Sequence, residues 1–137
     1  MAETVSPQSA LIYVMVTMSA AEGTMSDAEL RDIGNMVETL PAFRGFDPEE
    51  LVHEAEACAA LLSGENGLEE VLDLIARSVP KSHYDTAYAL AVEVAAADLT
   101  VGQEELRLLQ ILRDRLDLDK LTVAAIERGA RARHARL

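Results

Sequence analysis

Apolar residues recur along most of this chain at three- and four-residue spacing, the period of a helix that buries one face. Two segments depart from that rule by being apolar on every side. Residues 10–21 include Leu11, Ile12, Tyr13, Val14, Met15, Val16 and Met18, and residues 87–97 include Ala87, Tyr88, Leu90, Val92, Val94 and five further alanines. Helices of that kind belong in the middle of a bundle. The first run is 12 residues long, short of the roughly 20 needed to cross a bilayer. It is predicted as a buried helix.

Caps and breakers divide the remainder. The first helix is predicted over 7–22, with Ser6 as N-cap, Pro7 at the first helical position and Gly23 as its stop. A second runs over 26–40. Ser26 and Glu29 give it a capping-box pattern, Leu30, Ile33, Met36, Val37 and Leu40 its apolar stripe, and Pro41 its end. After a turn over 42–46, Asp47 and Pro48 open a third helix to about residue 62, with Leu51, Val52, Ala55, Cys58, Ala59 and Leu62 as its inward face. Further helices are predicted over 68–78, 82–98, 103–116 and 120–132, the last capped by Asp119. No segment alternates long enough to demand a strand. The prediction is an all-α chain of about seven helices.

Composition supports that class. Of 137 residues 22 are Ala and 19 are Leu, and only 4 % are aromatic, which suits closely approaching helices in one domain over 1–137. The 24 acids outnumber the 12 bases, and this excess repels phosphate backbones, so nucleic acid is not an expected partner. Membrane insertion is not expected either. Residues 1–10 lack a basic region ahead of the apolar run, so a cytoplasmic, unprocessed chain is expected. One cysteine, Cys58, excludes an internal disulfide, and among alanines it reads as a buried thiol. Charge is polarised: the first 127 residues hold 8 bases against 24 acids, while Arg128, Arg131, Arg133 and Arg136 fall in the last ten. Basic residues suit a helix C-terminus, and a docking tail is the alternative.

Sliding the chain by 76 residues superposes Ala20, Ala21, Thr24, Glu29, Leu30, Arg31 and Leu40 on Ala96, Ala97, Thr100, Glu105, Leu106, Arg107 and Leu116. Two related helical hairpins, about 7–40 and 83–116, are therefore predicted to pack around the two apolar helices. The repeated segments, Ser19 to Leu30 and Ala95 to Leu106, combine small residues, an acid, a short turn and then Glu-Leu on the next helix. In this they resemble the signature of the TerB-like, tellurite-resistance-associated family, and the resemblance spans nearly the whole chain. It implies an all-helical fold, a bacterial origin, a role in tellurite and stress resistance, acidic residues that hold a metal ion, and no established enzymatic reaction. Glu22 stands where the family usually has Asp, and Leu99 where it usually has Gly.

Glu22 and Glu29, like Asp98 and Glu105, lie seven residues apart, one acid closing a helix and the other opening the next. If the hairpins meet, four carboxylates suit a hard divalent cation such as Ca²⁺, Mg²⁺ or Mn²⁺. The same glutamates also suit plain helix capping or an acidic patch facing a partner. Two other metal templates fail. An EF-hand counted from Asp98 puts Leu109 where the bidentate Glu belongs. The Glu50-x-x-His53 motif of a di-iron bundle has no second copy, which leaves His53 on a solvated face. Phosphate loops and nucleophile elbows are absent. His83, Tyr84 and Asp85 read as helix-start residues, and Met15, Met18, Met25 and Met36 as core. The sequence thus leads to a non-enzymatic module with a cation held by Glu22, Glu29, Asp98 and Glu105, or to a protein-docking domain or homodimer with no metal.

Overall fold

The computed structural model describes residues 3–23, 25–97 and 101–137, and all regular structure among them is helical. The helices are α1 (Pro7–Ser19), α2 (Asp27–Thr39), α3 (Leu51–Leu62), α4 (Gly67–Ser78), α5 (Tyr84–Ala97), α6 (Gln103–Arg115) and α7 (Lys120–His134). Short 3₁₀ turns lie at Ala20–Glu22, Pro41–Phe43, Pro48–Glu50 and Lys81–His83. No helix among the described residues is long and apolar enough to cross a membrane.

The core is built around α1. Every residue from Ser9 to Ser19 is buried, because α3, α4 and α5 pack on different sides of the helix. On α5, Ala87, Tyr88, Ala91 and Ala95 are buried, and the alanines let the two central helices lie directly together. The other face of α5 carries α7 and α6. The sequence-derived pairing of the two apolar helices is thus what the chain adopts.

Local chemistry sets the boundaries. The helix predicted over 7–22 is α-helical only to Ser19 and then tightens into the 3₁₀ turn, with Gly23 N–H donating to Ala20 O at 3.1 Å and Gly23 at φ 136°. That φ favours glycine. Ser6, Ser26 and Asp119 each accept a backbone N–H as N-caps. At Gly67 a Cβ would lie 2.3 Å from the Leu62 carbonyl oxygen, so the α3–α4 corner admits only glycine without rearrangement. The last helix continues past residue 132 to His134, where Glu93 of α5 holds both Arg133 and His134.

The predicted inward face of the third helix needs correction. Leu51, Ala55 and Cys58 are buried against the core, but Val52 is 50 % exposed and Ala59 is exposed too. The buried stripe is narrower than the apolar one. The flank carrying Val52 and Ala59 borders an open groove between α2 and α3.

Candidate functional site

The two hairpins meet near the end of α1. The 3₁₀ turn Ala20–Glu22 packs against α6, and Val94 of α5 lies beside the start of α2. The turn of the first hairpin therefore adjoins the second hairpin. Of the four repeated acids, Glu29 and Glu105 are described; Asp98 and the side chain of Glu22 lie outside the described residues.

Both described glutamates cap their helices. Glu29 Oε1 accepts the Ser26 N–H at 2.9 Å, and Ser26 Oγ accepts the Glu29 N–H at 3.1 Å, a complete capping box. Glu105 Oε1 accepts the Gly102 N–H at 3.3 Å. Glycine has no side chain to return the bond, so this is half a box. Glu105 is nevertheless only 5 % exposed, a rare position for a carboxylate, and it lies in the positive first turn of α6.

Beside Glu29 lies a cavity of about 310 Å³ bordered by Ser19, Ser26, Glu29, Asp32, Met36 and Val94. Ser19 borders this cavity and is only 7 % exposed, and its hydroxyl, out of reach of solvent, has no hydrogen-bond partner. A buried hydroxyl left without a partner costs about 1–3 kcal/mol. Ser19, Ser26, Glu29 and Asp32 offer only oxygen, the donor set of a hard cation. Among the described residues no group of three or more His, Cys, Asp and Glu converges as a ready cage. Neither Ser19 nor Asp32 recurs in the other hairpin, where Ala95 and Leu108 stand, so the repeat does not point to them. For Asp32 the available signal is helical spacing, three residues beyond Glu29 on α2.

The other sequence candidates resolve plainly. Cys58 is fully buried, its Sγ 3.7 Å from Thr17 Oγ1, and burial pushes its thiol up to about 11, only partly opposed by that hydroxyl. A thiol so held is a poor nucleophile. His53 is exposed, as expected. His83, Tyr84 and Asp85 diverge: His83 Nδ1 lies 3.0 Å from Ser82 Oγ, Tyr84 donates to Ala76 O at 2.6 Å, and Asp85 Oδ1 accepts from Thr86 N–H. Met15 and Met18 are core, while Met25 and Met36 are half-buried at its edge.

Two polar clusters join helices far apart in sequence. Fully buried Tyr88 donates to Glu127 Oε2 at 2.6 Å, and that oxygen is also paired with Arg113 at 3.4 Å, so α5, α6 and α7 share one network. Glu93 receives Arg133 on one oxygen and His134 Nε2 at 2.8 Å on the other. The basic C-terminal residues are thus partly consumed by α5.

No curated protein and no solved structure matches the chain. The family profile described as "Tellurite resistance protein TerB" matches residues 8–128, from the first turn of α1 into α7 and across both hairpins. The chain belongs to the TerB family.

Proposed function

We propose that this TerB-family chain is a non-enzymatic helical module of bacterial tellurite and stress resistance that holds a hard divalent cation where its two hairpins meet. Glu29 and Asp32 would supply charge, and Ser19 and Ser26 neutral oxygens. The repeated partners Glu22, Asp98 and Glu105 would complete or balance the set. The observation that carries the reading is the buried Ser19 hydroxyl without a hydrogen-bond partner, on a residue that borders a cavity shared by Ser26, Glu29 and Asp32 with the apolar Ala28, Met36 and Val94. A bound ion would supply charge neutralisation among acids that repel one another, and would tie α1, α2 and α5 together. Cys58, the one thiol, is buried and held in its unreactive form, which favours binding over catalysis.

Calorimetric titration with Ca²⁺, Mg²⁺ and Mn²⁺ tests this. Saturable heat that is lost in Ser19→Ala and Asp32→Asn supports it, and the absence of saturable heat at millimolar ion overturns it. A tellurite-survival assay of cells carrying the same variants tests the physiological half. The alternative is a protein-docking module whose glutamates only cap helices. It draws on the completed Ser26–Glu29 box and on a groove of about 680 Å³ between the end of α2 and α5, walled by Met36, Leu40, Ala89 and Leu90.

A further inference from the structure

The groove between α2 and α3 is apolar and lies open. Met25, Leu30, Val52, Glu56, Ala59 and Leu62 border a volume of about 370 Å³ over a floor that includes Val16. Val52, 50 % exposed, stands at its edge. Along α3 the bordering residues 52, 56 and 59 follow the i, i+4, i+7 spacing that receives a helix laid lengthwise. The surroundings are negative. Glu56 borders the groove, and the exposed Glu49 and Asp27 stand one turn before Val52 and Leu30. Both walls of the groove belong to residues 1–76, a stretch that carries 15 acids against only Arg31 and Arg44.

The outward face of α7 has the opposite character. Its buried side carries Ala130, with Val123 and Ile126 packed against the core. Its exposed residues are Lys120, Leu121, Ala124, Ala125, Arg128, Arg131, Ala132 and Arg133, so each exposed charge on this helix is basic. Leu121 is 82 % exposed, at the head of an i, i+4, i+7, i+11 stripe of Leu121, Ala125, Arg128 and Ala132. A large aliphatic side chain held on an ordered helix in water is an anchor without a pocket. Two α7 faces would repel each other, and the same chain carries an acidic apolar groove.

We propose that the outer face of α7 of one copy docks into the α2–α3 groove of a second copy, with Leu121 entering the apolar floor and Arg128 facing Glu56. The two surfaces are different patches of one chain, so the contact is head-to-tail and leaves a free groove at one end and a free α7 at the other. It is independent of any cation at the hairpin junction. The small groove and the net charge of −12 make it weak and sensitive to ionic strength.

Sedimentation velocity over a micromolar to millimolar concentration series, with Glu56→Lys and Arg128→Glu, tests the proposal. Both positions are exposed, and circular dichroism verifies that both variants fold. Wild type is expected to form a concentration-dependent series of species that salt dissolves. Each charge reversal weakens association about tenfold or more, and Leu121→Asp abolishes it. Mixing the two charge-reversed variants is the decisive arm. Glu56→Lys keeps a working α7 and Arg128→Glu a working groove, so the mixture forms a 1:1 complex that cannot extend. A monomer at millimolar concentration, or a dimer indifferent to both reversals, overturns the proposal. A wild-type monomer that binds a Lys-rich amphipathic peptide in the groove also overturns it, and assigns the groove to a foreign helix.

Discussion

The hydroxyl of Tyr88 and the carboxylate of Glu127 meet at 2.6 Å across 39 residues of sequence, and this bond fastens the central α5 to the terminal α7. Glu127 also pairs with Arg113 of α6, so a buried phenol is made tolerable by a charged partner nearer the surface. Tyr88→Phe is expected to cost about 1.5–3 kcal/mol in urea unfolding, the range for a hydrogen bond to a charged group. Glu127→Gln keeps an acceptor and is expected to cost less. Equal stability of Tyr88→Phe and wild type would contradict this role.

Stability is expected to fall at alkaline pH for two identifiable reasons. Burial, reinforced by Glu127, pushes the Tyr88 phenol from 10.0 up to about 12, and burial pushes the Cys58 thiol from 9.0 to about 11. In both windows the unfolded chain loses its proton while the native chain keeps it, so unfolding becomes easier as pH rises. A shift of that size corresponds to about 2–3 kcal/mol per group once pH has passed the raised value. Urea titrations from neutral to strongly alkaline pH check the slope, and Tyr88→Phe should flatten its upper part. Cys58 should resist a thiol reagent at mildly alkaline pH until denaturant is added.

Capping and ion binding at Glu29 are separable by substitution. Glu29→Ala removes the bond to the Ser26 N–H and is expected to cost about 0.5–1 kcal/mol, with Ser26→Ala costing about 1 kcal/mol. Glu29→Gln retains a capping oxygen and should leave thermal stability within a few tenths of a kcal/mol of wild type. Any larger loss for Gln than for Ala would show that the box is not what holds this side chain.

The elements most legible in the sequence were those whose signal is local. Pro7 after Ser6, the Ser26–Glu29 pair and Asp119 each mark a helix start through bonds within four residues, and these bonds form. The all-apolar composition of α1 and α5 was enough to place both at the centre. Val52 and Ala59 were misassigned because apolarity alone cannot tell a buried stripe from the exposed wall of a groove; that depends on how closely α2 approaches α3. Glu93, Glu127, Arg113 and His134 were illegible for a different reason. Their partners lie 14 to 41 residues away, and nothing in local spacing links them. At the candidate site the repeat pointed to Glu29 and Glu105, but the Ser19 hydroxyl became visible only once packing had enclosed it.

The most direct test of the cation reading is titration calorimetry with Mn²⁺, Ca²⁺ and Mg²⁺ on wild type, Ser19→Ala and Glu29→Gln, with thermal unfolding measured on the same samples. Saturable heat is expected for at least one ion in wild type, with affinity reduced about tenfold or more in each variant. Glu29→Gln is expected to keep its unfolding temperature without metal. No saturable heat in wild type, or undiminished affinity in both variants, would overturn cation binding at this site and leave the glutamates as helix caps.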